Sequence, residues 1–274
     1  MSTHRCGVAL IGLSVVGLVL ACDRRDPLST RPSASRSSGA MLASRDAADD
    51  GEGDGDVCSI ESLHGGYGFV RAGVSTAGPL AGVGLVTYDG TGNWSSTETL
   101  SRNGTFSFDA ASSGTYTVTP DCAGKLFSGD VEVGRLSIAD GGKTVFQLDE
   151  TAQNQIAATE KRVPQNCSDA TVDGDYAFYR TGTTSTGPLS STGLAHYDGA
   201  GGGSAVQTNI RNGVINPDAA LNPGVYELNG DCTGKLFFGG REIARVVVVD
   251  KGREIYQISE GAGNTVTGVQ RRAN

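Results

Sequence analysis

The chain carries one stretch of sequence twice, and this duplication limits what the chain can fold into. The stretch Asp-Cys-x-Gly-Lys-Leu-Phe begins at Asp121 and again 110 residues later, at Asp231. The offset between matching positions is 109 up to about Ala111 and 110 from Gly114 onward. A period this long that occurs only twice indicates a duplicated domain rather than a solenoid. We therefore expect two similar domains, residues 58–163 and 164–274.

Other segments repeat in the same order, so the Asp-Cys-x-Gly stretch belongs to a longer repeated unit. The pairs are 67–71 with 176–180, 78–80 with 187–189, 88–90 with 197–199, and 102–104 with 211–213. One position differs sharply between the copies: Trp94 has no counterpart, because Gly203 stands at the equivalent place. We interpret Trp94 as a packing residue of one copy.

Four of the six cysteines occupy matching positions. Cys58 and Cys122 stand in the first copy, and Cys167 and Cys232 in the second. The matched spacing predicts one disulfide within each copy, which requires an oxidising compartment. Each bridge would close a loop of roughly 65 residues, worth about 4 kcal/mol in the chain-entropy description of disulfides. The alternative is four unpaired cysteines in a reducing compartment.

Residues 1–21 have the three parts of a secretory signal peptide: a basic start with Arg5, an apolar run, and small Ala21. The apolar run is shorter than the roughly 20 residues that span a bilayer. The string Val19-Leu20-Ala21-Cys22 resembles the lipobox of bacterial lipoproteins. The resemblance implies that Cys22 receives a diacylglycerol, with acyl chains such as palmitate, and becomes the new N-terminus. An ordinary signal peptide cut elsewhere is the alternative.

Export and lipidation together predict a localisation. Membrane lipid, attached through Cys22, would hold the protein on the periplasmic face of a bacterial membrane or at the cell surface, because two or more acyl chains anchor stably. Residues 22–57 have almost no apolar periodicity and are expected to form a flexible tether. The acidic run 49–56 lacks the glutamate that an EF-hand requires, so we interpret it as solvated linker and not as a metal site.

Composition and turn spacing predict an all-β fold. Glycine provides 41 of 274 residues, and only 38% are hydrophobic, which is typical of short strands joined by many turns. Seven turns imply about eight antiparallel strands per copy, and closure into a meander barrel would remove unpaired edges. We predict two tandem barrels, with two β-sandwiches as the alternative. The seven turn signals of the first copy are 73–79, 89–92, 103–104, 113–114, 121–124, 128–130 and 140–142. A ninth extended segment, 156–163 or 266–271, is expected to pair at a seam or to link the barrels.

The motif order G-x-Y-x-F, Y/F-D-G-x-G, G-x-Y-x-V, D-C-x-G resembles that of uncharacterised bacterial exported proteins. This resemblance covers both repeats, about three quarters of the chain. It implies a small barrel similar to the calycins or to allene oxide cyclase. The second copy departs from the pattern where Leu228 replaces valine. No functional position of an allene oxide cyclase matches a residue of this sequence, so the resemblance transfers no catalytic residue.

Known catalytic templates are missing from the sequence. It contains no G-x-S-x-G, H-E-x-x-H, Walker loop or C-x-x-C motif. His64 and His196 are not shared between the copies, and we interpret both as turn or surface residues. Asp89 and Asp198 begin glycine-rich stretches that resemble calcium loops, but a hairpin turn explains them better. We expect no catalytic residue, no metal and no cofactor.

The best candidates for ligand contact are paired positions on two predicted strands. Alternate residues of a strand share one face, so an aromatic pair and an arginine would line the barrel in each copy and hold an anionic or aromatic ligand. The alternative is that the arginine packs its stem and extends its head to water. A shared glutamine in each copy is a second candidate. The complete set is Tyr67, Phe69, Arg71 and Gln147 in the first copy, and Tyr176, Phe178, Arg180 and Gln257 in the second.

Two functions remain open. The net charge of −8 argues against a nucleic-acid partner, because phosphate contacts need a basic face. The first hypothesis is a lipid-anchored, non-enzymatic envelope protein whose barrels bind a small molecule or an envelope protein, or serve a structural role. The second is a barrel that encloses a small molecule and performs isomerase or cyclase chemistry. A cavity of several hundred Å³ with converging polar groups would favour the second, and a filled interior the first.

Overall fold

The computed structural model describes residues 57–273 and shows two closed, eight-stranded antiparallel barrels. The predicted all-β fold is confirmed, and the β-sandwich alternative is wrong. The predicted signal peptide, Cys22 and nearly all of the predicted tether lie outside the described residues. Both barrels belong to one compact unit.

The first barrel is a meander in which each strand pairs with the next, and the last pairs with the first. A short 3-10 helix, Ile60–Ser62, precedes it. Its strands are β1 His64–Ser75, β2 Gly78–Asp89, β3 Asn93–Arg102, β4 Thr105–Val118, β5 Ala123–Ser128, β6 Val131–Ala139, β7 Thr144–Asp149 and β8 Gln155–Arg162.

The second barrel repeats this order after another 3-10 helix, Asp169–Thr171. Its strands are β9 Asp173–Thr184, β10 Gly187–Asp198, β11 Gly202–Arg211, β12 Val214–Leu228, β13 Thr233–Phe238, β14 Arg241–Val249, β15 Glu254–Ser259 and β16 Thr265–Arg272. A third 3-10 helix, Asp250–Gly252, joins β14 to β15.

One predicted turn is wrong. The turn expected at 113–114 does not form, because β4 continues through Gly114. This glycine permits close backbone approach: a Cβ placed on it would lie 1.8 Å from the carbonyl oxygen of Phe127 on β5. The expected ninth segment is the eighth strand, β8, which pairs with β1 and closes the seam.

Three tyrosines from the repeated motifs close one end of each barrel. In the first barrel Tyr67, Tyr88 and Tyr116 pack edge to face, with ring centroids 5.5 and 5.1 Å apart. The hydroxyl of Tyr116 donates to the carbonyl oxygens of Ile60 and Leu63, which fixes the 3-10 helix across the barrel end. The second barrel repeats the arrangement with Tyr176, Tyr197 and Tyr226.

Each barrel contains the predicted disulfide. Cys58 is bonded to Cys122, and Cys167 to Cys232. The bridges tie the segment before each barrel to the turn between its fourth and fifth strands. In both turns the cysteine itself adopts the left-handed conformation, with φ of 63° at Cys122 and 72° at Cys232.

A third apolar cluster joins the two barrels. It lies between the outer faces of β2 and of β14 with β15, and consists of Ala81, Val83, Val247, Val249, Tyr256 and Ile258. Ion pairs border it, with Lys161 Nζ 2.6 Å from Glu254 Oε2 and Arg245 Nη1 2.8 Å from Asp109 Oδ1. The barrels therefore share a core in addition to their separate interiors.

Candidate functional site

The interior of the second barrel contains a cavity of about 80 Å³ that is open on one side. Arg180, Gln257 and Gln270 line its polar part, and small or apolar side chains line the rest. A single water needs roughly 10–15 Å³ on the same measure, so the cavity has room for a small polar head group such as a carboxylate. It is therefore neither a filled interior nor the several hundred Å³ expected of a site that encloses a whole ligand.

The cavity lies where the second barrel lacks a tryptophan. Gly203 and Gly224 both line it. Their equivalents in the first barrel are Trp94 and Gly114, and the indole of Trp94 packs against the core, with Nε1 only 3.0 Å from the place of a Cβ on Gly114. Trp94 Nε1 also donates to the carbonyl oxygen of Thr115, 3.0 Å away, which fixes the ring. The glycine at 203 leaves this volume empty.

Arg180 brings a positive charge to the cavity wall without a matching carboxylate. It projects inward from β9, its Nε donates to Ser191 Oγ at 3.1 Å, and its Nη2 donates to Gln207 Oε1. Its guanidinium carbon lies 5.5 Å from the ring centre of Phe178. Burial, with the nearby charge of Arg211, lowers the pKa of Arg180. Within residues 57–273 no carboxylate forms an ion pair with it.

The equivalent arginine in the first barrel is neutralised. Arg71 Nε donates to Glu98 Oε1 at 3.2 Å, and Nη2 donates to Glu98 Oε2, which makes a two-pronged ion pair. Glu98 stands at the position of Gln207. The two barrels therefore hold the same arginine in the same place, once with an internal carboxylate and once with an amide.

A second carboxylate of the first barrel is also an amide in the second. Tyr88 donates to buried Glu160, O to O 3.0 Å, and burial raises the pKa of Glu160 to about 8. At the equivalent place Tyr197 donates to Gln270 Oε1 at 2.9 Å, and Gln270 Nε2 donates to Gln257 Oε1 at 2.7 Å. The hydrogen bonds of this series all run in one direction, from Tyr197 through Gln270 to Gln257.

The mouth of the cavity is apolar. Strand β12 pairs with β13 only over residues 224–228, whereas its earlier residues, 214–221, pair with β11 alone. This leaves a gap between β12 and β13 at the rim of the barrel. Four side chains beside this gap are larger or more apolar than their counterparts: Leu221, Val225, Phe238 and Ile243 replace Ser112, Thr115, Ser128 and Val133.

The predicted ligand-contact residues divide between the cavity and the closed barrel ends. Phe178, Arg180 and Gln257 line the cavity. Tyr176 lies at the closed end, where its hydroxyl donates to the carbonyl oxygen of Gly252, O to O 2.5 Å. In the first barrel Tyr67 occupies the same place and donates to Gly142, Phe69 is buried in the core, Arg71 pairs with Glu98, and Gln147 is half-buried opposite Leu136.

Sequence reasoning missed the residues that distinguish the two interiors. Ser191, Gln207 and Gln270 contact the predicted residues, and none of them was a candidate. The available signal was a change of charge at matched inward positions, Glu98 to Gln207 and Glu160 to Gln270. Each substitution removes a carboxylate from the second copy only.

The other polar candidates have structural partners. Asp89 accepts hydrogen bonds from the backbone and side chains of Thr91 and Asn93, which hold the pKa of its carboxyl well below the usual range. His196 Nδ1 lies 2.8 Å from Asp175 Oδ1 on an exposed face. In the described part of the chain no three His, Cys, Asp or Glu side chains are close enough to hold a metal.

Comparison with known proteins gives distant structural neighbours. No protein-family model matches the chain, and no curated protein is significantly similar to it. The chain is similar to a protein of unknown function from the DUF3598 family of Nostoc punctiforme PCC 73102, with 11% identity, 79% of this chain and 99% of that chain covered, and a TM-score of 0.24.

Two further solved structures are similar to the chain at the same level. For kievitone hydratase from Nectria haematococca the identity is 8%, with 77% of this chain and 90% of that chain covered and a TM-score of 0.23. For a protein from Nitrosomonas europaea described as a putative AttH the identity is 8%, with 76% and 92% covered and a TM-score of 0.24.

The disulfides indicate an oxidising, extracytoplasmic environment. Among the helices of residues 57–273, none is long and apolar enough to cross a membrane.

Proposed function

We propose that this chain is an exported lipoprotein, attached to a bacterial membrane through acylated Cys22, whose second barrel binds a small molecule without transforming it. The first barrel serves as a closed structural module. The observation that carries the proposal is the cavity beside Arg180, which exists because Gly203 takes the place of Trp94.

The differences between the barrels support a binding role because they lie together. Gly203 and the rim residues Leu221 and Phe238 line the same cavity. The amide of Gln207 contacts Arg180, which lines that cavity too. A protein with only a structural role has no need for one barrel to keep an open interior, since cavities lower stability. The concentration of changes at one mouth therefore favours ligand binding.

The chemistry of the cavity wall favours binding over catalysis. Its polar groups are an arginine, two amides and Tyr197, whose pKa is raised by burial. None of these groups exchanges a proton readily near neutral pH, as a general acid or base must.

The test is native mass spectrometry of the Cys22→Ser chain purified from a periplasmic extract. We expect a non-covalent adduct on the unmodified barrels, and its loss in a Gly203→Trp variant, in which an indole fills the cavity. Gly230→Trp is the control, because a Cβ placed there meets no atom within 4 Å. An adduct that survives Gly203→Trp, or that is absent from the starting protein, would contradict the proposal.

The anchor is tested separately. Cell fractionation should find the unmodified protein with membranes and the Cys22→Ser variant in the soluble fraction. Membrane association that persists in the variant would argue against lipidation at Cys22.

A further inference from the structure

We propose that the ligand of the second barrel is an organic monoanion, with a carboxylate head that binds Arg180 and an apolar body that lies at the rim. This inference rests on the proposed binding function and specifies its ligand class. Its starting point is the comparison of two interiors that share an architecture and differ in charge.

The first barrel shows what Arg180 lacks. There Glu98 on β3 supplies both oxygens of its carboxylate to Arg71 on β1, across the intervening strand β2. Planar guanidinium and carboxylate groups match in this two-pronged geometry. In the second barrel Gln207 offers Arg180 one neutral amide oxygen instead. A partly buried cation without a counter-ion is unfavourable, and a bound carboxylate would supply the missing charge.

The second barrel also presents hydrogen-bond donors to the cavity. Within the described residues, Arg180 Nη1 and Gln257 Nε2 take part in no hydrogen bond, while both side chains line the cavity. Gln257 is fixed in this orientation because its oxygen accepts from Gln270, whose own oxygen accepts from Tyr197. Two free donors beside a positive charge suit an acceptor-only group such as a carboxylate.

The replacement of Glu160 by Gln270 leaves an amide, and no ionisable carboxyl group, at this place in the second barrel. Gln270 lines the cavity, so a glutamate there would place a carboxyl group beside the incoming anion. The amide keeps the hydrogen bond from Tyr197 and carries no charge. Glu98 to Gln207 removes the internal partner of the arginine, and Glu160 to Gln270 removes an ionisable carboxyl group, so neither position of the second barrel opposes a bound anion.

The size and the rim define the rest of the ligand. A cavity of about 80 Å³ is well below the several hundred Å³ that encloses a whole ligand, so part of the ligand extends into the mouth. There Leu221, Val225, Phe238 and Ile243 provide an apolar contact surface, and Val225 and Phe238 expose 50% and 37% of their surface. One arginine matches a single negative charge, which favours a carboxylate over a phosphate dianion.

The experiment compares hexanoate with 1-hexanol by isothermal titration calorimetry on the Cys22→Ser chain. We expect hexanoate to bind about tenfold more tightly or better, since hydrogen bonds to a charged group are stronger than those to a neutral one. The decisive variant is Gln207→Glu, which copies the Arg71–Glu98 pair into the second barrel. It should fold, because the first barrel already carries this pair, and it should weaken hexanoate at least about tenfold while it leaves 1-hexanol unchanged.

The outcomes separate the two proposals. If 1-hexanol binds as tightly as hexanoate, and Gly203→Trp abolishes both, the cavity binds ligands but the carboxylate assignment is wrong. If Gln207→Glu leaves hexanoate binding unchanged, Arg180 is not its partner and the inference fails. If inorganic phosphate competes with hexanoate and binds with the same affinity, the cavity is a general anion site and the carboxylate assignment is wrong. If neither probe binds the Cys22→Ser chain, the inferred ligand class is overturned, and the native adduct decides separately whether the binding function holds.

Discussion

At the scale of single residues, the two arginines should respond in opposite ways to the same substitution. Arg71→Met leaves Glu98 in the barrel interior without its partner, which we expect to cost about 3 kcal/mol of unfolding free energy. Arg180→Met removes a charge that has no carboxylate partner in the described structure, so stability should be unchanged or higher. Urea titrations of both variants measure the difference. An equal loss in both would mean that Arg180 has a structural role like that of Arg71.

Glu160 predicts a pH dependence of stability. Burial raises its pKa in the folded protein to about 8, from an ordinary value of 4.5. Between these pH values the folded state holds a proton that the unfolded chain releases, so the free energy of unfolding falls as pH rises, by up to about 1.4 kcal/mol per pH unit. Below pH 4.5 the contribution is complete, and it is lost as pH passes the folded pKa.

The variant Glu160→Gln places in the first barrel the amide that the second barrel carries as Gln270, and it should remove this slope. Urea unfolding at pH 5 and pH 8 of both proteins measures the change. Burial also raises the pKa of Glu260, to about 7, but that residue is present in both proteins, so the difference between them isolates Glu160. Parallel pH profiles would contradict the assignment.

At the scale of strands, the backbone of β4 approaches β5 so closely that only glycine fits at 114. A Cβ there would lie 1.8 Å from the Phe127 oxygen, whereas at the equivalent Gly224 the nearest atom would be 3.2 Å away. We expect Gly114→Ala to cost more than about 3 kcal/mol, and Gly224→Ala less than about 1 kcal/mol. Thermal denaturation of the two variants, followed by circular dichroism, tests this. Similar losses in both would show that the strand relaxes around the added methyl group.

The same glycine explains the false turn predicted at 113–114. In a sequence, a glycine that supplies a turn and a glycine that permits close backbone approach look alike, and Ser113-Gly114 resembles the true turn at Asn103-Gly104. The structure separates them by φ, which is positive at Asn103 and Gly104 and not at Gly114. The barrel class was predictable because it depends on the number of strands and on closure. The false turn at 113–114 adds one strand and the unpredicted turn between β7 and β8 removes one, so the number stays at eight.

The site was partly predictable for a related reason. Period-two alternation places Phe178 and Arg180 on one face of β9, and both line the cavity as a strand face requires. The same alternation places Tyr176 on that face. It does not show that Tyr176 lies at the closed end of the barrel, because alternation gives the face of a residue and not its height along the barrel. The partners of Arg180 come from β10 and β11, Ser191 and Gln207, and their register depends on the closed sheet.

At the scale of the whole molecule, an apolar contact joins the two barrels, and the sequence of the second barrel indicates it. The four valines 246–249 of β14 are all buried, because Val246 and Val248 face the barrel interior while Val247 and Val249 face the other barrel. The equivalent residues 136–139 of the first barrel, Leu-Ser-Ile-Ala, alternate as a strand with one solvated face does. An unbroken apolar strand in one copy only is thus the signature of the contact between the barrels.

A shared core predicts that the barrels unfold together, and the only tryptophan in the chain makes this measurable. Trp94 lies in the first barrel, so its fluorescence reports the unfolding of that barrel. The double variant Cys167→Ala/Cys232→Ala removes the bridge of the second barrel, a loss of about 4 kcal/mol for a loop of this length. If the cluster around Val83 and Val247 couples the barrels, the Trp94 transition in urea should move to lower concentration although no residue of the first barrel has changed. Val83→Asp, which places a charge in that cluster, should separate the transitions again. A Trp94 transition that is unaffected by loss of the second bridge would show two barrels that fold independently.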